Sequence, residues 1–418
     1  MDFLDAGYLA AVTLAGAIAR AVVRGLPDNW RLRLTAEGPA DPQGPWLWLH
    51  AVSVGELMLA EGILANLRAA GHRIHVTTGT CAGLELLQRR LPGWVGGSGR
   101  ITGGAFPLDD PEGLAPFLAV PPSAYISLET EIWPNLLREL ERRGIPRVIV
   151  NGRLTERSLA RGGPWMARAA SRLSLVAARD PASLQAFRQL GAPRVVLGGN
   201  LKADLPEPRP LGPGWEPLRQ AWAALPVLVA GNTVPGEEEL ILRGWAEARA
   251  AHPDLRLILA PRQPRRFQEV AELLRDRSLR FRRASEPWPE TAAAWTGVEI
   301  LLLDTLGDLA AAYREGTLAL VGGGWAWDGG HNPLEPVRFG VPTLIGPGYR
   351  NFQDLVGPLL AAGLLQVVDA ETLHARVAAV LEGSPLRPGS GPVRFPEELT
   401  GALGKTCDFL KNVLPVPR

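Results

Sequence analysis

Acidic residues placed just after apolar runs are the side chains of this chain best suited to chemistry. The run 46–50 (WLWLH) leads into Ala51-Val52-Ser53-Val54-Gly55-Glu56, and a helix is predicted to begin near Gly55. Glu56 then stands in a first helical turn at the carboxyl end of a strand, where a free carboxylate can take a proton from a hydroxyl nucleophile. A helix dipole favours an acid at that place by itself, by about 0.3–1 kcal/mol, so position alone leaves both roles open. The run 123–128 ends in Glu129-Thr130-Glu131-Ile132-Trp133-Pro134-Asn135, with two carboxylates one residue apart. They face the same side if the strand extends through them, and crowding in one pocket would raise a pKa. Such a pair can bind hydroxyls or support a base, and a solvated loop around a packed Trp would use the same residues.

A third segment points to an anion. Strand candidate 317–321 runs into Gly322-Gly323-Gly324, and Asp328-Gly329-Gly330-His331-Asn332-Pro333-Leu334-Glu335 follows. Asn332 reads as an N-cap, Pro333 as the first helical residue and Glu335 as the third. Glycines admit close approach of backbone N–H groups, and a helix start carries positive potential. The segment therefore predicts a nucleotide-phosphate pocket, although a capping box between Asn332 and Glu335 would explain the same letters. Arg153 and Arg157, four apart, share a helix face and can grip an anion. Thr233 and Arg262 end segments that close other strand candidates, where a nucleotide would lie, and Asn351 lies beyond strand candidate 342–345 and a Gly-Pro-Gly turn; taken singly, most of these residues suit structural roles equally.

The elements that must position these residues alternate between short apolar runs and amphipathic helical stretches. Strands are predicted at 46–50, 73–78, 123–128, 147–151, 174–178 and 194–198, then at 227–231, 256–260, 299–304, 317–321, 342–345 and 364–368. Continuous apolar strands separated by helices imply α/β architecture, with two doubly wound parallel-sheet domains and a ligand cleft at the strands' carboxyl ends. The Pro/Gly-rich stretch 206–214 is the expected linker between a domain at 35–205 and one at 215–395, with a C-terminal helix in 396–418. At the N-terminus, residues 1–34 hold a 14-residue uncharged run, Ala6 to Ala19. It is short for a bilayer span and suits a helix lying in a membrane interface, with Arg20, Arg24, Arg31 and Arg33 at the headgroups. A buried first helix of the globular body is the other reading.

Composition narrows the field. Apolar residues are 46% and charged residues 21%, so the chain is globular. A net charge of +1 supplies no field toward nucleic acid. Two cysteines, Cys81 and Cys407, give no disulfide framework, and six histidines give no HExxH pair, so neither sulfur nor histidine motifs point to a metal.

In order, HAVSVGE (50–56), TTGTCAG (77–83), PLD (107–109), ETEIWPN (129–135), NGRLTERS (151–158), GNLKADL (199–205), APR (260–262), LLLDTLGDL (301–309), GGHNPLEP (329–336) and NF (351–352) resemble the 3-deoxy-D-manno-octulosonic acid (Kdo) transferases of lipopolysaccharide assembly. The resemblance spans roughly residues 45–355. It implies a GT-B glycosyltransferase on the cytoplasmic side of the inner membrane, moving Kdo from CMP-Kdo to a lipid A precursor with inversion, without a metal or other cofactor. It makes Glu56 the general base and Glu129 and Glu131 acids of the reacting cleft. Arg262, Gly322, Gly323, Gly324, Asn332 and Glu335 become nucleotide contacts. Ser53, Gly55, Arg153, Arg157, Lys202, Thr233, His331 and Asn351 become substrate contacts. Two departures concern the donor: Val234 and Gln263 stand where the family commonly has histidines. They leave open a different CMP-linked ulosonic acid or acceptor, and a non-catalytic binder of nucleotide sugar or lipid is the alternative outside enzymes.

Overall fold

Apolar runs long enough for two or more strand residues form strands throughout, and every strand pairing is parallel. In the computed structural model, which describes residues 3–39, 44–94, 100–204, 210–383 and 393–416, the strands divide between two units. Met1–Leu205 with Leu399–Arg418 forms one, and Pro206–Glu398 the other.

The first unit holds β1 (Leu47–His50), β2 (Ile74–Thr78), β3 (Ile101–Ala105), β4 (Ala124–Leu128), β5 (Arg147–Gly152), β6 (Leu175–Ala178) and β7 (Val195–Leu197). They lie in the order β3-β2-β1-β4-β5-β6-β7. Successive residues of β1 serve opposite faces: Leu47 and Leu49 join one core, and Trp48 joins Phe106, Phe117 and Tyr125 in the other. Covering both faces with helices requires the continuous apolar run that the sequence shows. Strand order reverses between β1 and β4, so a crevice opens at their carboxyl ends. Glu56 and the acidic pair follow those two strands.

The second unit holds β8 (Val227–Thr233), β9 (Arg256–Pro261), β10 (Phe281–Arg283), β11 (Ile300–Leu302), β12 (Leu318–Val321), β13 (Thr343–Ile345) and β14 (Gln366–Val367). Their order is β10-β11-β9-β8-β12-β13-β14, with the reversal between β8 and β12. The glycine cluster follows β12 and Val234 follows β8, so the second group of candidate residues also gathers at a switch point.

The C-terminal helix, Ala402–Lys411, belongs to the first unit. Asp204 accepts the Gly401 and Leu403 amides at 3.1 and 2.6 Å, and Leu403 packs against Gly62 of the helix Val54–Ala69. A side chain at position 62 would meet Leu403 at 2.7 Å, so glycine admits the returning helix. The expected linker 206–214 falls outside the described residues up to 209, as do residues 384–392.

Among the described residues, one helix, Phe3–Ala21, is long and apolar enough to cross a membrane. Its outer face exposes Phe3, Leu14 and Ile18, and Val22 follows it. Its inner face is polar and engaged: Asp5 pairs with Arg172 at 2.5 Å, Tyr8 donates to Asp109 at 3.2 Å, and Arg20 pairs with Asp110 at 2.6 Å. Arg33 donates to the Pro107 carbonyl at 2.9 Å and lies 4.4 Å from the Trp133 ring centre. The placement of Arg20 and Arg33 at lipid headgroups is therefore corrected, since acids and an aromatic face of the protein take their guanidinium groups. Arg24 and Arg31 remain exposed.

Asp5 and Arg172 are both buried, so Asp5→Ala strands a cation whose remaining ion-pair partner among the described residues is Glu141, 3.0 Å away. The expected loss is about 2–3 kcal/mol, below the value for an isolated buried pair. Urea unfolding of the full-length protein checks this, and an unchanged midpoint would show the pair to be inconsequential.

Candidate active site

Ser53 begins the first site as an N-cap, its hydroxyl accepting the Glu56 amide at 3.5 Å. In return the Glu56 carboxyl accepts the Val52 amide at 2.8 Å and lies 3.2 Å from Ser53 Oγ. This reciprocal cap fixes the Glu56 rotamer over the crevice between β1 and β4. Burial pushes the Glu56 pKa up to about 7, the Val52 hydrogen bond opposes the shift, and the charges of Glu129 and Glu131 add to it. The three predicted acids therefore do converge.

Glu129 does not reach the group by strand alternation. β4 stops at Leu128, and Glu129 has φ +56°, the left-handed region. Asn151, the penultimate residue of β5, and Asn232, near the end of β8, have φ +52° and +57°. Asn tolerates this conformation through local hydrogen bonding, whereas Glu does not. Strain of about 1 kcal/mol or more at Glu129 is thus held in place by its surroundings, at a carboxylate facing the reactive acid.

Glu131 is held from two sides. Trp133 Nε1–H donates to its Oε2 at 2.9 Å, and His50 Nε2 lies 3.6 Å from the same oxygen. Arg33, stacked over Trp133, contributes positive charge toward Glu131 and Asp109. Asp109 accepts the amides of Asn135 and Leu136 at 3.0 and 2.8 Å, so it anchors the start of the helix Pro134–Arg142. Burial raises the Asp109 pKa to about 7 against those hydrogen bonds. The sequence alone suggests lipid headgroups for Arg33 and no role beyond motif membership for His50 and Asp109. They come from separate elements, and only their burial together marks them.

Other predicted residues of this unit lie near neighbouring strand ends. The Arg153 carbonyl accepts a hydrogen bond from the Thr130 hydroxyl, which ties the two loops together. The Arg157 side chain lies outside the described residues. Asn151 Oδ1 accepts the Leu201 amide and Asn200 Oδ1 the Lys202 amide, both at 3.0 Å, which fixes the Lys202 segment beside β5. Gly55 has no close neighbour beyond Ser53 Oγ at 3.9 Å, so space does not demand glycine there.

In the second unit the expected phosphate cradle proves different. Glu237 is fully buried. Its carboxyl accepts the amides of Gly323 at 2.7 Å, Trp325 at 2.9 Å, Ala326 at 3.3 Å and Val234 at 3.1 Å. The glycine loop is closed around an internal acid, so reading its amides as a seat for an external phosphate is corrected. A Cβ at Gly322 would meet Glu237 at 2.6 Å, and one at Gly324 would meet the Gly346 backbone at 3.1 Å. Close packing, not a ligand, is what requires these glycines. Thr233 is likewise engaged, its hydroxyl donating to buried Glu238 at 2.6 Å.

What remains open to a ligand is a group beside that loop. The Arg262 side chain is exposed, and its charge acts on both His331 and Glu335. Burial, then Arg262, lowers the His331 pKa to about 4, so its imidazole is neutral at pH 7. Burial raises the Glu335 pKa to about 7, opposed by Arg262 and Arg338 and by a hydrogen bond with Asn332. The helix here is a single turn, Leu334–Val337, beginning one residue later than predicted, with Asn332 Oδ1 accepting the Leu334 amide at 3.2 Å. The Asn351 backbone N–H donates to the Gly329 carbonyl at 3.1 Å. One guanidinium, a neutral imidazole and a carboxyl titrating near 7 can together receive an anion and a hydroxyl pair. Among the described residues, no cluster of His, Cys, Asp and Glu could hold a metal ion.

Comparison with known proteins gives four findings. Residues 28–205 match a family model described as 3-deoxy-D-manno-octulosonic-acid transferase. The 3-deoxy-D-manno-octulosonic acid transferase of Haemophilus influenzae is 35% identical over 387 residues, 89% of this chain and 88% of that protein. Among solved structures, a UDP-GlcNAc 2-epimerase from Neisseria meningitidis aligns with TM-score 0.52 at 12% identity, over 88% of this chain and 98% of that one. MurG of Acinetobacter baumannii aligns with TM-score 0.50 at 13% identity, over 88% and 100%. The last two are similar in fold alone, the two-sheet GT-B architecture.

Proposed function

The chain belongs to the family of 3-deoxy-D-manno-octulosonic acid (Kdo) transferases and is a glycosyltransferase, and from that premise we propose that it transfers Kdo from CMP-Kdo to a lipid A precursor with inversion at the anomeric carbon. The observation that supports this most is Glu56, a carboxyl titrating near 7 at a strand end beside two further acids. In the proposed step its carboxylate takes the acceptor hydroxyl proton. The acceptor oxygen bonds to the anomeric carbon, and the bond from that carbon to the phosphate oxygen breaks, with CMP leaving with the electron pair. A base matched to neutral pH contributes about 10²–10⁴-fold. CMP is a competent leaving group, so orientation and phosphate stabilisation supply the rest. Arg262 is the proposed phosphate partner, Glu335 the acceptor of ribose hydroxyls, and neutral His331 a hydrogen-bonding neighbour.

The apolar outer face of Phe3–Ala21, with exposed Trp30 beyond it, supports placement on the cytoplasmic side of the inner membrane, where the lipid acceptor lies. A second reading, a different CMP-linked ulosonic acid, draws on Val234 and Gln263. Val234 uses its amide on Glu237, and the Gln263 side chain accepts from Arg265 at 2.8 Å. Val234 has no polar side-chain atom, and the Gln263 amide can donate a hydrogen bond but cannot exchange a proton as an imidazole does.

Incubation of the purified protein with CMP-Kdo and a tetraacylated lipid A precursor is expected to raise the acceptor mass by one or more Kdo residues. Mass spectrometry reads the number directly. An unmodified acceptor alongside bound CMP-Kdo would refute the acceptor assignment, and turnover only with another CMP-ulosonic acid would establish the second reading.

A further inference from the structure

His50 closes β1, fully buried, with its ring stacked on Phe106 at 3.8 Å between centres. Its Nδ1 lies 3.0 Å from the Thr77 carbonyl oxygen and 3.1 Å from Thr77 Oγ1. A carbonyl only accepts, so Nδ1 carries the hydrogen. In a neutral ring the other nitrogen, Nε2, would then present a lone pair. That atom is buried without a hydrogen-bond partner, and it faces Glu131 Oε2 at 3.6 Å. A lone pair aimed at a carboxylate oxygen is repulsive, and the arrangement becomes attractive when one proton is added. Glu131 is the poorer place for that proton, because the same Oε2 accepts the Trp133 Nε1–H and Arg33 adds positive charge nearby.

We propose that His50 carries a hydrogen on both ring nitrogens in the reacting enzyme and, as an imidazolium paired with Glu131, is a positioning residue that sets the charge of the acid cluster around Glu56. The inference deepens the reading of Glu56 as the base and rests on it. Other charged or titratable groups around this pair are Glu56 on the helix after β1, Tyr125 within β4, Glu129 after β4, Arg33 before β1 and Asp109 after β3. With three carboxylates converging, one compensating cation lets Glu56 ionise near neutral pH and lets an anionic sugar donor approach. Arg33 supplies part of that compensation from behind Trp133, and His50 supplies it from within the crevice wall.

Two measurements test this. In ¹⁵N-histidine NMR of the full-length protein at pH 7, the ring nitrogens assigned by loss in His50→Gln are both expected at protonated shifts. In Glu131→Gln, Nε2 is expected to move to the shift of an unprotonated nitrogen. A neutral His50 ring in the wild-type protein overturns the proposal, whether or not Kdo transfer is ever observed. In the kcat/KM profile, His50→Gln is expected to move the acidic limb upward by about half to one pH unit, lowering activity about 3–10-fold at pH 6 and leaving the alkaline plateau in place. In a Glu131→Gln background the same change is expected to leave the limb where it is. A purely packing role for His50 would instead scale the whole profile down at every pH, which also overturns the proposal. If His50→Gln does not fold, assignment passes to the ring signal perturbed in Glu131→Gln, and the wild-type spectrum still decides.

Discussion

Glu56→Gln is expected to lower kcat by about 10²–10⁴-fold while leaving CMP-sugar affinity within a few-fold of the wild type. The substitution keeps the shape of the side chain and a carbonyl oxygen for the Val52 amide, which now sits 2.8 Å from Oε2. The helix start should survive, and only the proton acceptor is lost. The wild-type kcat/KM is expected to rise with pH and level off above about 7, where Glu56 becomes the carboxylate, and this limb should vanish in the variant. Stability should move the other way. A carboxyl whose folded pKa is raised from 4.5 to about 7 disfavours the folded state progressively as pH climbs between those values. Glu56→Gln removes that penalty, so the variant should match the wild type near pH 4.5 and exceed it by about 1–2 kcal/mol at pH 8, the figure being reduced for partial exposure. Thermal melts at the two pH values, run beside initial rates, check both halves. Full activity in the variant would exclude Glu56 as the base.

Glu237→Ala, in contrast, should strike at donor binding. Four backbone amides converge on one buried carboxyl, and each buried donor left without an acceptor costs roughly 1–3 kcal/mol. Even if water rescues half of them, the loop 322–326 loses about 3 kcal/mol or more of support. His331 packs against that loop, since a Cβ on Gly323 would approach its ring at 2.7 Å, so the donor residues move with it. The expected result is a lower melting temperature together with a CMP affinity weakened at least 100-fold, measured by calorimetry. Glu237→Gln should fall between, because its NH₂ opposes amides that need an acceptor. Unchanged melting and CMP affinity in Glu237→Ala would show the loop to be self-supporting.

Most of the fold was legible because both sheets are parallel and covered on both faces, which forces long apolar runs at regular intervals. The two strands that escaped, β3 and β10, lie at sheet edges. β3 reads Ile-Thr-Gly-Gly-Ala, with a glycine at 103 because a Cβ there would stand 2.8 Å from Leu87 and 2.9 Å from the Val76 carbonyl. β10 reads Phe-Arg-Arg, two charges on an edge with one neighbour. Neither pattern carries the apolar signature of a central strand. The site divides similarly. Strand-end position marked Glu56, Glu129 and Glu131 as candidates while leaving their roles open, but His50, Arg33 and Asp109 acquire meaning only when separate segments meet. Glu237 was hidden by a plausible local account, since acids at 237–239 suit the first turn of any helix. The glycine loop misled for a related reason: residues that let a backbone surround an anion do so equally for an anion the protein itself supplies.

The first helix bears on how the protein can be handled. Its greasy outer surface invites removal to obtain material that stays in solution without detergent. Such a trimmed chain would leave Arg172, Asp110 and Asp109 facing water or one another in place of Asp5, Arg20 and Tyr8. Asp109 grips the start of the helix that follows the ETEIWPN acids, so the disturbance would reach the loop that carries Glu129 and Glu131. The helix is a structural wall with an oily exterior, not a detachable tether, and purification should keep it and cover it with a mild detergent or lipid disc.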